Sequence, residues 1–199
     1  GVRKSLEESL KRLQTDYADL FQLHSPSLDD LEKDDSLLRL LEDLQKEGKV
    51  RASGIAVRSP EEGLRAIELF PFKSVQVNFN LADQRAVDTG LFERCSEKGA
   101  GIIVRTPLCF GFLTGKYSAK DDYDEKDHRS GWSPEQVEKW ATAFHLFAEP
   151  FRQSEPQTSA QIALRYCLSH DAVTCAIPGM LNPEQVLENY GAELGKVSF

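Results

Sequence analysis

Ala18-Asp19-Leu20-Phe21-Gln22-Leu23-His24-Ser25-Pro26 is the stretch whose reading decides the fold. A short run of apolar and alternating positions closed by a proline predicts a buried strand, because proline cannot continue a hydrogen-bonded ladder. His24 stands at the carboxyl end of that strand, the end where parallel α/β architectures place their chemistry. An imidazole there can donate a hydrogen bond to a carbonyl or pass a proton. It can equally cap the strand on a backbone carbonyl.

Reading outward, helices and strands alternate. Val2, Leu6, Leu10 and Leu13 recur at helical spacing, so a helix over Val2 to Leu13 feeds the first strand. Leu31 to Glu47 reads as one helix closed by Gly48, followed by a strand over Val50 to Val57. Ser59-Pro60-Glu61-Glu62 opens a third helix by the N-cap and proline-first rule, and Ser74 to Phe79 is the third strand. A helix over Gly90 to Lys98 precedes a fourth strand, Gly101 to Arg105. Ser133-Pro134 opens a long helix to about Phe147, with Trp140, Phe144 and Phe147 expected on one face. Thr158 to Leu168 is helical, Ala172 to Ile177 is the fifth strand, and Pro183 to Tyr190 is the last helix. This alternation means βα units around a parallel sheet, with right-handed crossovers placing the helices outside.

At 199 residues the chain is read as one domain over residues 1–199, long enough to bury about 70% of its extended-chain surface. A net charge of -8, with no clustering of Lys and Arg, argues against a nucleic-acid surface. A nucleotide cofactor needs only a few local donors and stays open. Cys95, Cys109, Cys167 and Cys175 lack Cys-x-x-Cys spacing and the density of a disulfide scaffold, so buried thiols in the cytoplasm are expected. No stretch approaches eighteen uninterrupted apolar residues, which predicts no membrane span, and the charged start predicts no secretion signal. The four histidines are too scattered to propose a metal site.

Thr106 to Gly131 is the one long irregular connection, with Gly111, Gly115 and an acidic segment around Asp121, Asp122, Asp124 and Asp127. Loops of this length in compact α/β domains are usually lids or binding loops, and glycine lets backbone approach a ligand. Gln76 and Asn78 share one face of their strand, so they either point into a central interior or are satisfied core amides.

Four ordered motifs then point to one family: Asp16 to His24; Gln76-Val77-Asn78-Phe79-Asn80-Leu81; Thr106-Pro107-Leu108 with Gly111-Phe112-Leu113-Thr114-Gly115-Lys116-Tyr117; and Ile177-Pro178-Gly179 with Gln185 and Glu188-Asn189. Together they resemble the aldo-keto reductase superfamily, in particular bacterial members related to the potassium-channel β subunit, over essentially the whole chain. The resemblance implies a partial (β/α)8 TIM barrel, about five parallel strands with outer helices, that uses NADP(H) to reduce an aldehyde or ketone. It assigns His24 to the histidine of the family's Tyr-Lys-Asp-His catalytic set and Gln76 to the nicotinamide carboxamide. Arg105 falls where an aromatic often stacks on the nicotinamide. Thr106, Leu108, Gly111 and Leu113 match the loop along the pyrophosphate, and Gly179, Met180, Gln185, Glu188 and Asn189 match the segment around the adenosine and its 2′-phosphate.

Three departures qualify what the resemblance implies. Aligned to the family, the chain starts in the helix before the fourth barrel strand, so the units carrying the tyrosine, lysine and aspartate have no counterpart in these residues. The Ser-Asn pair after the fifth barrel strand is replaced by Ala56-Val57, followed by Arg58. Many relatives place Lys, Ser and Arg where this chain has Gly179, Met180 and Gln185, which implies weak binding of NADP(H). Five strands cannot close an eight-strand barrel, so Phe21, Val75, Ile103 and Val173 are expected to be partly exposed unless a second copy or a complementing chain covers them. The alternative reading is a non-catalytic binding or regulatory module, as the aldo-keto reductase-like modifier subunit of glutamate-cysteine ligase illustrates.

Overall fold

The computed structural model describes residues 1–118, 121, 123–149 and 157–194; the expected acidic residue Asp122 lies outside them. Its elements are α1 (Val2–Leu13), β1 (Ala18–His24), α2 (Leu28–Lys33), α3 (Ser36–Lys46), β2 (Val50–Ala56), α4 (Pro60–Leu69), β3 (Ser74–Asn78), α5 (Arg85–Asp88), α6 (Leu91–Glu97), β4 (Gly101–Arg105), α7 (Pro134–Ala143), α8 (Ser159–Leu168), β5 (Val173–Ile177) and α9 (Pro183–Tyr190). Five parallel strands lie in one open sheet in chain order, β1-β2-β3-β4-β5. Chain contacts divide the molecule into two compact units, Gly1–Val77 with Thr89–Ile102 and Asn78–Asp88 with Ile103–Phe199.

In the first unit the register of β1, β2 and β3 positions the site. His24 pairs with Ala56 and Ala56 with Gln76, so the three residues stand level at the carboxyl ends of neighbouring strands. Their face also carries Leu20, Gln22, Gly54 and Ser74. A side chain on Gly54 would overlap the Ser74 hydroxyl and lie 3.3 Å from Leu20 Cδ1. The missing Cβ lets Gln22 Nε2 donate across β2 to Ser74 Oγ at 3.4 Å. The opposite face packs on helices. There Leu6, Leu10, Leu44 and Val50 form a cluster joined by Phe21, while α4 approaches so closely that a Cβ on Gly63 would lie 3.3 Å from Val75 Cγ1.

That approach corrects one expectation. Val75 is fully buried, because it faces α4; Phe21, Ile103 and Val173 are half-buried as expected. The expected helix from Leu31 to Glu47 is two helices, α2 and α3. Asp34 separates them by accepting from Ser36 N–H at 2.9 Å with its own side chain, a local bond that competes with the helical ladder. The four-residue α5 was not expected from the sequence.

The second unit is built on α8, whose start is fixed by a capping box between Thr158 and Gln161. Ile162 and Ala163 of α8 join Leu81, Cys109, Leu113 and Phe144 in its core. A second cluster gathers Phe112, Val137 and Ala141 with the rings of Phe110, Tyr117, Tyr123, Trp132 and Trp140. The helix expected to reach Phe147 changes at Phe144 into a π turn, Phe144–Ala148. The wider turn breaks the 3.6-residue spacing, so Phe144 is buried and Phe147 faces outward, 40% exposed. Cys95, Cys109 and Cys167 are buried, but Cys175 on β5 is exposed, contrary to expectation.

Candidate functional site

His24 and Gln76 meet at the carboxyl end of the first unit's strands through the register described above. His24 is exposed and Gln76 half-buried. Just past β1, Ser25 takes a left-handed φ of 48°, and its N–H still donates to the Ala56 carbonyl at 2.8 Å. Its own carbonyl accepts from Arg58 Nη2 at 3.2 Å. The turn after His24 is therefore pinned from β2.

In the second unit β4 ends at Arg105, and Thr106 turns sharply with φ 54°. Left-handed backbone at a β-branched residue is strained by about 1–3 kcal/mol and needs fixing. Asn80 provides it, donating from Nδ2 to the Thr106 carbonyl at 2.9 Å while its Oδ1 accepts from Ala82 N–H. The Thr106 hydroxyl lies 2.7 Å from the Arg105 carbonyl and 3.2 Å from Asn78 Oδ1. Cys109, Phe110 and Gly111 continue with φ of 47°, 55° and 94°. Leu113 and Cys109 anchor this contorted loop in the core.

Beside it lies a cleft of about 370 Å³. Seven of the eleven residues expected at a cofactor line it: Thr106, Leu108 and Gly111 from the loop, Gly179, and Gln185, Glu188 and Asn189 from α9. Leu113 is fully buried and Met180 is exposed, neither on the lining. Arg105 is also off the lining, with its Nε buried. Gln76 and His24 belong to the first unit.

Two cations in the lining had not been singled out as cofactor ligands. Lys116 Nζ stands 3.9 Å from Glu188 Oε2. Arg129 grips Asp127 through Nε and Nη2, and stacks its guanidinium 3.8 Å from the centre of the Tyr117 ring. The Asp127 carboxylate holds the charge on that guanidinium more firmly than usual. Gly111 is required by this stack, since a Cβ there would sit 2.7 Å from Tyr117 Cε2.

On the opposite wall α9 starts at Asn182, whose Oδ1 accepts from Gln185 N–H at 2.9 Å. Gln185 returns the bond, accepting from Leu181 N–H at 2.6 Å through Oε1. Asn189 is the exception to this local satisfaction. It lines the cleft and is 8% exposed, and its Nδ2 has no hydrogen-bond partner. Shielded from solvent, such an amide donor costs the fold about 1–3 kcal/mol.

Five parallel strands with helices, in one open sheet, define the class: a partial (β/α)8 barrel. The chain belongs to the aldo/keto reductase family, whose sequence model matches residues 1–197. It is 32% identical to L-glyceraldehyde 3-phosphate reductase of Escherichia coli K12 over 207 residues, covering 96% of this chain and 59% of that protein. It is 31% identical to aldo-keto reductase yakc [NADP(+)] of Schizosaccharomyces pombe, covering 99% and 58%. Among solved structures, the glycerol dehydrogenase AKR11B4 of Gluconobacter oxydans is similar with a TM-score of 0.79 at 26% identity, covering 99% of this chain and 60% of that one. The holo form of aldo-keto reductase AKR11C1 from Bacillus halodurans is similar with a TM-score of 0.73, also at 26% identity, covering 99% and 62%. The chain thus spans about three fifths of the length of these relatives.

Proposed function

We propose that the cleft of the second unit binds NADP(H), and that the whole protein is an oxidoreductase reducing a small aldehyde or ketone. The convergence of seven of the eleven residues assigned to the cofactor on one cleft that also carries Lys116 and Arg129 is the observation that supports this reading most strongly. Bound, the reduced cofactor supplies a hydride. Lys116 and Arg129 face the charge of its phosphates, Thr106, Leu108 and Gly111 lie along them, and Gln185, Glu188 and Asn189 hold the adenosine end. Leu113 supports the loop from the core, while Gly179 and Met180 border the adenosine. By the resemblance, Arg105 takes the position that stacks on the nicotinamide, Gln76 is assigned its carboxamide, and His24 is assigned the substrate carbonyl. The printed name of the yeast relative, with its NADP(+), supports the choice of cofactor.

A second reading is favoured by Ala56-Val57, which replace the Ser-Asn pair that the resemblance gives to holding the nicotinamide. On that reading the module is a non-catalytic binding or regulatory one that works with a partner chain. Four cysteines without a disulfide support a reducing compartment, the cytoplasm. Among the described residues no helix is long and apolar enough to cross a membrane. Fluorescence titration with NADPH tests the reading: saturable binding that weakens about tenfold in Lys116→Ala is expected. The absence of binding at millimolar cofactor would overturn it.

A further inference from the structure

We propose that Arg58 forms an anion subsite beside His24, so that the carbonyl substrate carries a carboxylate or phosphate. This rests on the reading of His24 as the group that meets the substrate carbonyl.

The observation is an imbalance among guanidinium groups. In the first unit Arg3 pairs with Glu47, Arg39 with Asp35, Arg51 with Asp19, Arg65 with Asp29 and Arg94 with Glu68, while Arg12 on α1 donates to Ser9 Oγ at 3.0 Å. Arg58 is exposed and has no carboxylate within 4.0 Å of its guanidinium among the described residues. The nearby acid, Glu62, is committed elsewhere: its Oε2 accepts from the Arg58 backbone N–H at 2.8 Å. The Arg58 side chain instead donates from Nη2 to the Ser25 carbonyl at 3.2 Å. Ser25 reaches that geometry through its left-handed φ of 48°, directly after His24. One of five guanidinium donors is spent on fixing the head group; the others remain for an anion.

Position completes the argument. His24 is level with Ala56, and Arg58 lies two residues beyond Ala56 on the adjoining strand end. The guanidinium reaches the carbonyl of Ser25, the residue directly after His24, which places its charge at the same strand end as the imidazole. In a chain of net charge -8, an unpaired guanidinium at this end selects for anions locally against the average field. A charge-assisted contact of this kind is about tenfold in affinity.

The test is an NMR titration of the 199-residue chain that follows His24, Ser25 and Gln76. The probes are two matched pairs, 4-carboxybenzaldehyde with its methyl ester and glycolaldehyde phosphate with glycolaldehyde. The anionic member of at least one pair is expected to bind about tenfold more tightly, and the pair that shows the preference tells carboxylate from phosphate. Arg58→Ala should remove that preference while the neutral member binds as before, and Arg58→Lys should retain part of it. Equal affinity within both pairs, or a preference that survives in Arg58→Ala, overturns the subsite but leaves the carbonyl reading standing. No shift at His24 or Gln76 with any probe overturns both. If Arg58→Ala releases the Ser25 turn and moves signals throughout β1, the matched pairs on the unaltered chain and on Arg58→Lys decide.

Discussion

Replacing Asn189 with leucine separates the cost of its unpaired amide from its place in the cleft wall. The Asn189 side chain is 8% exposed and its Nδ2 is unpaired, so the folded chain bears an unsatisfied donor worth about 1–3 kcal/mol. Leucine fills nearly the same volume without a polar group. The unfolding free energy should rise by about 1–2 kcal/mol, somewhat less than the full penalty because the packing is not identical. The same change makes part of the cleft lining apolar, so NADPH should bind about tenfold more weakly, the equivalent of about 1.4 kcal/mol. Urea denaturation followed by the fluorescence of Trp132 and Trp140, both in this unit, measures the first effect, and NADPH titration the second. Asn189→Ala serves as the control that opens a void and should lose in both assays. Loss of stability in Asn189→Leu with unchanged NADPH affinity would refute the reasoning, because the amide would then be structural.

Three further outcomes are expected. Gly54→Ala should destabilise the first unit by about 1–3 kcal/mol through overpacking on Ser74, and Ser74→Ala should relieve part of that; a neutral Gly54→Ala in chemical denaturation would contradict the β1-β2-β3 register. Only Cys175 should react promptly with a thiol reagent at pH 8. Burial pushes Cys95 up to about 11 and Cys109 and Cys167 to about 12, so at pH 8 these three are almost wholly protonated, and two or more fast thiols would count against the described core. Leu181, Leu187 and Tyr190 are 91%, 75% and 69% exposed, so light scattering on the purified chain should report a dimer or larger species, and a stable monomer would contradict this.

Much of this structure is legible in the sequence because its signals are local. Ser59-Pro60, Thr158 with Gln161, and Asn182-Pro183 mark helix starts that the structure confirms through their caps. The apolar run ending at His24 gives β1 with its bounds. What escaped depends on tertiary partners. Val75 alternates with Gln76 on β3, but only α4 decides which of the two is covered. The π turn that turns Phe147 outward has no composition signature, and Asp34 breaks a helix with a side-chain bond rather than with a glycine or proline. Lys116 was quoted within a motif and Arg129 passed over, since a charged loop residue has no periodicity to reveal it. Their role emerges from the Tyr117 ring and the Glu188 carboxylate across the cleft. Arg58 stands out only in the folded chain, where its guanidinium lies against the Ser25 carbonyl rather than a carboxylate.

Hydrogen–deuterium exchange on the 199-residue chain with and without NADPH tests the central claim most directly, since it reports where the cofactor sits without requiring turnover. The account predicts slowed exchange in the loop from Thr106 to Lys116 and in the segment from Gly179 to Asn189, the two walls of the cleft. Unchanged exchange in both segments at saturating NADPH would contradict it.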